Sequence, residues 1–208
     1  MTGTTALGAV SNDELELSKD AQDLLFRHAR TANSFSDEPV TDEQVRAIYD
    51  LVKWAPTSMN QQPLRVVLAR SDEAKQRLLP HLMEGNRAKT VSAPLVAILA
   101  ADTEFHEHLP RLFPHLPEAK AFFDDDNVRH RHAHLNATLQ TAYFILGVRA
   151  AGLAAGPMTG LDVEGINAEF FPDGTTTALV VINIGKPGEN PWFDRLPRLD
   201  YDEVVTEL

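Results

Sequence analysis

The segment at residues 54–63 carries a dense group of polar side chains that could contact a ligand. Between Pro56 and Pro63 it offers two hydroxyls and three amides: Thr57, Ser58, Asn60, Gln61 and Gln62. The two prolines stiffen the backbone around these groups, because each proline fixes its own φ. A polar turn between a helix and a strand needs fewer hydrogen-bonding groups than this. The pattern therefore favours a binding loop over a simple connection.

Scattered cations are a second candidate for binding chemistry. Arg30, Lys89, Arg195 and Arg198 lie far apart in a chain whose net charge is −11. Taken singly, each is explained as a solvated surface residue. A bound phosphate dianion would be repelled by this acidic chain unless particular Arg or Lys side chains converged on it. Convergence of these residues would therefore indicate an anion site.

Three glycines, at 152, 156 and 160, follow one another at intervals of four residues. The spacing matches neither the dinucleotide-binding nor the nucleoside triphosphate-binding glycine motif. One interpretation is a helix cap at Gly152 followed by a turn. In the other, Gly156–Gly160 lets backbone N–H groups approach a flat ligand closely, which glycine permits.

Six of the eight histidines fall within residues 106–134. His130 and His134 lie one helical turn apart, as in some zinc sites, and Asp124–Asp126 lies just upstream. No third ligand follows at a fixed spacing. Solvated residues on a polar flap explain the group better, and we predict no metal site.

The helices and strands that must position these residues are predicted from the periodicity of apolar residues and from the Gly, Pro and capping residues at segment ends. Short apolar runs predict strands at 64–69, 94–101 and 178–184, with a further segment at 153–158. Helices are predicted from residue 20, from 41 with a Thr41/Gln44 capping box, at 71–79, 86–91, 128–151 and 162–170. Residues 102–127, here called the flap, are irregular. Because helices and strands do not alternate regularly, the predicted class is α+β.

The helix at 128–151 is apolar nearly all round. It has no charged residue between His134 and Arg149, and one stripe of it is formed by Leu135, Leu139, Ala142, Tyr143, Leu146 and Ala150. Such a helix belongs in the centre of a core. Either it is the central helix of this domain or two chains share it.

Composition limits the remaining alternatives. Residues 1–17 resemble a flexible arm, residues 18–208 a single domain, and residues 186–208, the C-terminal arm, are apolar enough to pack on something such as a partner subunit. Without cysteine there is no disulfide, thiolate nucleophile or Cys-ligated metal. The acidic balance disfavours nucleic acid and anionic membranes. No apolar run reaches membrane-spanning length and the N-terminus lacks signal-peptide features, so we expect a cytoplasmic protein.

Read in order, five segments resemble signatures of the FMN-dependent nitroreductase family. They are Arg30-Thr31-Ala32-Asn33-Ser34-Phe35; the Ala55–Pro63 run APTSMNQQP; Asn86-Arg87-Ala88-Lys89; Gly156-Pro157-Met158-Thr159-Gly160; and Arg195-Leu196-Pro197. The resemblance covers residues 20–208. Finer features resemble the malonic semialdehyde reductase branch of pyrimidine degradation: Lys53–Ser58 (KWAPTS), Glu104-Phe105, Leu109–His115 (LPRLFPH) and Arg195–Leu199 (RLPRL).

The resemblance implies a nitroreductase-like fold: a central mixed or antiparallel sheet flanked by helices, with an extended C-terminal arm. It also implies a homodimer with FMN at the interface. Arg30, Thr31 and Arg195 would then bind the phosphate. Further contacts to the flavin would come from Asn86 and Lys89 at its pyrimidine edge, from backbone groups of Pro157, Met158, Thr159 and Gly160 near N5, and from Pro56, Thr57, Ser58 and Asn60 of the other subunit.

Two positions depart from the family pattern. Asn33 stands where a basic residue is usual, which removes a charge but keeps a hydrogen-bond donor. Thr159 stands where some members have Glu, so the polarity on the substrate side differs.

The implied activity is NAD(P)H-dependent reduction by ping-pong hydride transfer through flavin N5, with malonic semialdehyde reduced to 3-hydroxypropionate. A general nitro or quinone reductase is the alternative in the same class, and a non-catalytic flavin- or metal-binding protein is the alternative in another class. His106, His108, Arg111 and His115 are candidates for orienting a substrate carboxylate. The proton donor and the choice between NADH and NADPH stay open.

Overall fold

The computed structural model describes residues 15–208, so most of the predicted N-terminal arm lies outside the described residues. Its four strands are β1 (Leu64–Ala69), β2 (Leu95–Asp102), β3 (Ala154–Met158) and β4 (Thr176–Gly185). They form one sheet in the order β1-β2-β4-β3. Every neighbouring pair is antiparallel, so of the two predicted sheet types, mixed and antiparallel, the structure has the antiparallel one.

Strand β2 is buried along its whole length because helices cover both faces of the sheet. Its alternate side chains divide between two cores. Val96, Ile98 and Ala100 belong to one cluster, and Leu95, Ala97 and Leu99 belong to the other. This period of two is what a central strand requires when both faces are apolar.

Six helices follow the predicted segments with changes at their ends, whereas two short helices, at 109–112 in the flap and at 201–204 in the C-terminal arm, were not predicted. The helices are α1 (Lys19–Gln22), α2 (Asp42–Val52), α3 (Asp72–Leu78), α4 (Glu84–Ser92), α5 (Leu109–Leu112), α6 (Asp126–Ala150), α7 (Val163–Phe170) and α8 (Tyr201–Val204). The Thr41/Gln44 capping box is present, and Gly152 ends α6 with a φ of 70°. Helix α6 begins two residues before the predicted start, because the Asp125 side chain accepts a hydrogen bond from the Val128 N–H at 3.0 Å.

Helix α6 packs against one face of the sheet together with α2. Phe144 and Val148 contribute to the same core cluster as Ile48 and Val52 of α2. The predicted apolar stripe, however, lies on the other side of α6. Leu135, Leu139 and Tyr143 are 60%, 46% and 43% exposed. The prediction that this stripe lies in the core of one domain is therefore wrong for the single chain, and the alternative of a helix shared by two chains stays a prediction.

The flap is irregular, as predicted, but it is not simply solvated. Turns at Phe105–His108 and Pro117–Phe123 flank α5. Phe105, Leu109 and Phe123 form a third apolar cluster with the first half of α6. The C-terminal arm shows the opposite behaviour, since nearly every residue from 192 onward is exposed. No helix in residues 15–208 is long and apolar enough to cross a bilayer.

Close packing of α6 on α2 depends on Gly147. A Cβ at this position would overlap Cγ1 of Val52 and lie 3.2 Å from Cγ2 of Ile48. We expect Gly147→Ala to lower the free energy of unfolding by about 1–3 kcal/mol, because overpacking outweighs the gain in helix propensity. Gly85→Ala on α4 is the matched control, since a Cβ there meets nothing within 4 Å. Urea denaturation of both variants checks this, and equal stability of the two would contradict it.

Candidate functional site

The extended segment of residues 30–35 lies beside β3, the edge strand of the sheet. The Ala32 N–H donates to the Ala155 carbonyl at 3.1 Å. A Cβ on Gly156 would lie 2.6 Å from the Ala32 carbonyl oxygen. Gly156 therefore lets the chain pack against itself. The interpretation that backbone N–H groups of residues 156–160 approach a flat ligand stays a prediction. The contact carries Arg30, Thr31 and Asn33 to the sheet edge.

At one end of this edge, the predicted phosphate-binding arginines interlock. Arg30 Nη1 donates to the Phe193 carbonyl at 3.5 Å. Arg195 Nη2 donates to the carbonyls of Arg27 and, at 3.2 Å, of Ala29. Each guanidinium group thus bonds to backbone close to the other arginine, at the junction of the first helix and the C-terminal arm, although 165 positions separate the two residues in the sequence.

Arg149 joins this group of cations and was missed by the sequence analysis. Burial, and then repulsion from Arg195, lowers the pKa of Arg149. With Arg30 and His28 it lines a cavity of about 430 Å³. Asp20 and Asp23 also line this cavity, but the Asp23 carboxylate is paired with Lys19 and Arg27. In the sequence, Arg149 was visible only as a cation in the last turn of α6. A cation at that position is common because it interacts favourably with the helix dipole, so it did not indicate a site.

At the other end of the edge, four predicted residues meet in two pairs. Lys89 Nζ donates to Asn33 Oδ1 at 3.5 Å, and Asn86 Nδ2 donates to the Gly160 carbonyl at 3.3 Å. Burial lowers the pKa of the Lys89 ammonium. A Cβ on Gly160 would lie 2.5 Å from Met83 Sδ, so this glycine allows the turn after β3 to sit against α4.

The turn after β3 completes this group. Met158 is buried and lies 3.9 Å from the Asn183 amide, whereas Thr159 is exposed and Pro157 half-buried. We call the whole group along β3 the edge site; its members are Arg30, Thr31, Asn33, Asn86, Lys89, Pro157, Met158, Thr159, Gly160 and Arg195. The structure thus brings ten of the predicted residues to one strand.

The remaining predicted residues, Pro56, Thr57, Ser58 and Asn60, form a separate loop between α2 and β1, here called the 56–60 loop. It opens onto a cleft of about 340 Å³ that Trp54 and Gln62 also line. Three non-glycine residues in and after it, Met59, Asn60 and Gln62, have φ of 50°, 51° and 45°. This left-handed backbone is costly for such residues and persists only where surrounding contacts enforce it.

A ladder of polar side chains on α6 provides those contacts. Asn136 Oδ1 accepts from the Ser58 N–H at 2.8 Å, and Asn136 Nδ2 donates to Gln61 Oε1 at 2.8 Å. Gln61 Nε2 lies 3.2 Å from His132 Nδ1. One turn further on, Gln140 Oε1 accepts from the Leu64 N–H at 3.0 Å. This ladder was not predicted from the sequence, although amides four residues apart in an otherwise apolar helix were a visible signal.

The edge site and the 56–60 loop lie at opposite sides of the sheet. The loop leads into β1, and the edge site lies along β3, with β2 and β4 between them. Three strand spacings amount to about 14 Å. The two groups share no hydrogen bond among residues 15–208, and the cavities of about 430 Å³ and 340 Å³ beside them are lined by different residues.

The histidines do not form the considered metal site. His130 and His134 are exposed, and His130 Nδ1 lies 2.7 Å from the Asp126 carbonyl of its own helix. In the described part of the chain, one cluster, Glu104, His106 and Glu107, has ligand atoms close enough to hold an ion. Both of its carboxylates already pair with cations, Glu104 with Arg129 at 3.1 Å and Glu107 with Lys120 at 2.7 Å.

Together these features define an α+β protein whose four-stranded antiparallel sheet has cationic and amide side chains along its edge strand β3. The sequence model of the nitroreductase family matches residues 27–186 of this chain. A Streptomyces coelicolor protein provisionally named an NADH dehydrogenase/NAD(P)H nitroreductase is 67% identical over 195 residues, covering 93% of this chain and 99% of the relative. The chain therefore belongs to the nitroreductase family.

More distant proteins agree with this membership. A Stenotrophomonas maltophilia protein with the same provisional name is 47% identical over 89% of this chain and 94% of its own length. The solved structure of a nitroreductase from Exiguobacterium sibiricum in complex with FMN superposes with a TM-score of 0.82 at 16% identity, covering 93% of this chain and 99% of that one. A Bacillus subtilis nitroreductase superposes with a TM-score of 0.81 at 23% identity, over 88% and 97% of the two chains. At these identities the structures establish the fold alone.

Substitution of Asn136 tests directly whether its side-chain amide stabilises the 56–60 loop. Asn136→Ala leaves the buried Gln61 Oε1 and the Ser58 N–H without their partner, so we expect the free energy of unfolding to fall by about 1–3 kcal/mol. Thr138→Ala is the control on the same helix, because Thr138 is exposed and bonds only to the His134 carbonyl. Chemical denaturation measures both. A loss for Asn136→Ala no larger than for Thr138→Ala would refute the role of the ladder.

Proposed function

We propose that this protein is an FMN-dependent NAD(P)H oxidoreductase. The observation that carries the proposal is the edge site: two interlocked arginines at one end of β3, and amide and ammonium groups at the other end. The names of the Streptomyces and Stenotrophomonas relatives support NAD(P)H as the electron donor. The FMN complex of the Exiguobacterium nitroreductase supports the cofactor.

The donor set fits FMN. A phosphate dianion is best bound by guanidinium groups, and Arg30 and Arg195 supply two of them, with the charge of Arg149 nearby. The flavin ring presents carbonyl and nitrogen atoms along its pyrimidine edge, which suit the donors of Asn86 and Lys89. Thr31 adds a hydroxyl and Asn33 an amide where a second cation is usual in the family.

When bound, FMN supplies hydride exchange at N5 between NAD(P)H and an acceptor. The residues of the protein would bind the flavin, orient it and polarise it. Partial burial removes water from the Lys89 ammonium, so its charge acts more strongly on negative charge developing beside it. Hydrogen bonding to Lys89 also fixes the orientation of the Asn33 side chain.

We further propose that the protein works as a homodimer with FMN at the interface. In one chain the 56–60 loop lies across the sheet from the edge site, so a flavin that contacts both needs the loop of a second copy. The exposed stripe of α6 is an apolar surface suited to that contact. The exposed C-terminal arm, with Phe193, Leu196 and Leu199, is suited to packing on the same partner.

Malonic semialdehyde is the proposed acceptor, on the strength of the branch features in residues 53–58, 104–115 and 195–199. General reduction of nitro compounds or quinones is the second candidate, and the names of the relatives favour it. A protein that holds flavin without turnover is the third. The absorbance spectrum, recorded before and after anaerobic NADH or NADPH, separates the first two from the third, because only a reductase bleaches.

The arginines give the sharpest test of the cofactor. Purified protein is expected to be yellow, and Arg30→Ala combined with Arg195→Ala should weaken FMN binding at least 100-fold, because two charge-assisted contacts to the phosphate are lost. Arg198→Ala is the control, since Arg198 bonds only to the neighbouring carbonyls of Leu196 and Pro197. Fluorescence titration of the apoproteins with FMN measures the affinities. A colourless wild-type protein indifferent to FMN would overturn the proposal.

The dimer is tested on the α6 stripe. Leu139→Glu places a charge in the proposed interface, so we expect a dimer of the 23.0 kDa chain to become monomeric and to lose FMN. Val163→Glu, at an exposed valine on α7, is the matched control and should leave both properties unchanged. Sedimentation with detection at the flavin absorbance measures assembly and cofactor together. A wild-type monomer that holds FMN one to one would contradict this arrangement.

A further inference from the structure

A cavity of about 610 Å³ lies between α2, β1 and the flap helix α5. Its volume is typical of small-molecule sites. It shares Tyr49, Lys53 and Gln62 with the smaller cleft of the 56–60 loop. Asn60 Nδ2 donates to the Leu112 carbonyl at 2.9 Å, so the flap is joined directly to that loop. The cavity therefore adjoins residues that the proposed function places against the flavin.

The charge of this cavity is unlike that of the protein as a whole. No carboxylate side chain lines it, whereas Lys53, Arg65, His108 and Arg111 do. The chain carries a net charge of −11, so a cavity lined by Lys53, Arg65 and Arg111 and by no carboxylate is a local exception. Its remaining wall is mainly apolar, from residues such as Val52, Leu64 and Phe144.

Arg111 differs from Lys53 and Arg65 because no carboxylate among the described residues compensates its charge. Lys53 pairs with Asp50 at 2.7 Å, and Arg65 pairs with Asp102. His108 Nε2 lies 3.9 Å from the same Asp102 carboxylate. Arg111 has no ion pair or side-chain hydrogen bond within residues 15–208, and it is exposed. Its guanidinium is free to take a ligand.

We infer that this cavity binds the electron acceptor and that Arg111 is the specificity-determining residue that pairs with the carboxylate of a small oxo acid. The inference rests on the proposed reductase function and names its substrate class. A guanidinium binds a carboxylate through two parallel hydrogen bonds, which fixes orientation as well as charge. In the reaction, the carbonyl carbon of the acceptor gains the hydride equivalent from NAD(P)H, its oxygen gains a proton from solvent, and NAD(P)H is oxidised to NAD(P)⁺. The carboxylate stays unchanged.

The test compares Arg111→Met with wild-type holoenzyme. Methionine keeps an unbranched apolar side chain but removes the charge and the hydrogen-bond donors. We expect the ratio of kcat/KM for malonic semialdehyde to kcat/KM for menadione, an uncharged quinone, to fall about 10–100-fold, because a charge-assisted contact to one substrate is lost. The loss should appear mainly in KM. Arg111→Lys should recover part of it, since a point charge replaces the two-pronged contact.

Binding gives a second measurement that needs no turnover. Malonate, which cannot be reduced, is titrated onto the same proteins by calorimetry, and its affinity should fall at least 10-fold in Arg111→Met. Arg46→Met on α2 is the matched control, because Arg46 is an exposed arginine that does not line the cavity. It should leave both the selectivity ratio and malonate binding at wild-type values.

The outcomes separate this inference from the proposed function. Menadione turnover with an unchanged selectivity ratio in Arg111→Met would overturn the inference and leave the reductase function standing. Arg111-dependent malonate binding by a protein that reduces no acceptor would support the anion site and overturn the function. A third result, weaker dimerisation of Arg111→Met without any change in selectivity, would show that the cavity instead receives an acidic segment of a second copy, and would also overturn the inference.

Discussion

A buried amide on the longest helix determines the conformation of the loop that leads into the sheet. Asn136 is 1% exposed, and both ends of its side chain are engaged: the oxygen accepts from the backbone of Ser58 and the nitrogen donates to Gln61. A buried amide lowers the stability of the folded protein unless both its oxygen and its nitrogen form hydrogen bonds. Few other conformations of the loop would satisfy both groups of Asn136. The left-handed residues between 59 and 62 are held in place by it. Local sequence preference alone would not keep them there.

One side of the same helix packs within the chain, and its other side is an exposed apolar surface. The polar ladder and the apolar residues around Phe144 face the protein, while the stripe of Leu135, Leu139 and Tyr143 faces away. Because α6 is nearly uncharged over this length, its hydropathy period does not distinguish the two sides. The distinction comes from which neighbours the sheet and α2 provide. A helix of this kind can belong to two cores at once, which is the physical basis of the proposed dimer.

Much of the fold and of the candidate site was predictable from sequence. The apolar runs that became β1, β2 and β4, the Thr41 cap and Gly152 are local signals, and local physics sets them. Convergence of Arg30 with Arg195 was predictable only through family resemblance, since no local rule links residues so far apart. The exposure of the α6 stripe, the position of Arg149 and the self-packing role of Gly156 depend on tertiary neighbours that a single sequence does not reveal. The ladder of His132, Asn136 and Gln140 was visible as a pattern, but its partners were not.

The distribution of charge explains why an acidic protein can still attract anionic ligands. Several cations are neutralised by a nearby carboxylate, as Lys53 is by Asp50, Arg77 by Glu169 and Arg70 by Asp42. The cations assigned to ligands are held differently, because Arg30 and Arg195 donate to backbone carbonyls and Lys89 to a neutral amide. A carbonyl orients a guanidinium without cancelling its charge, so the positive potential stays available at the strand edge. The net negative charge thus repels anionic ligands in general. Attraction replaces this repulsion only where a cation bonds to a neutral group and keeps its charge available.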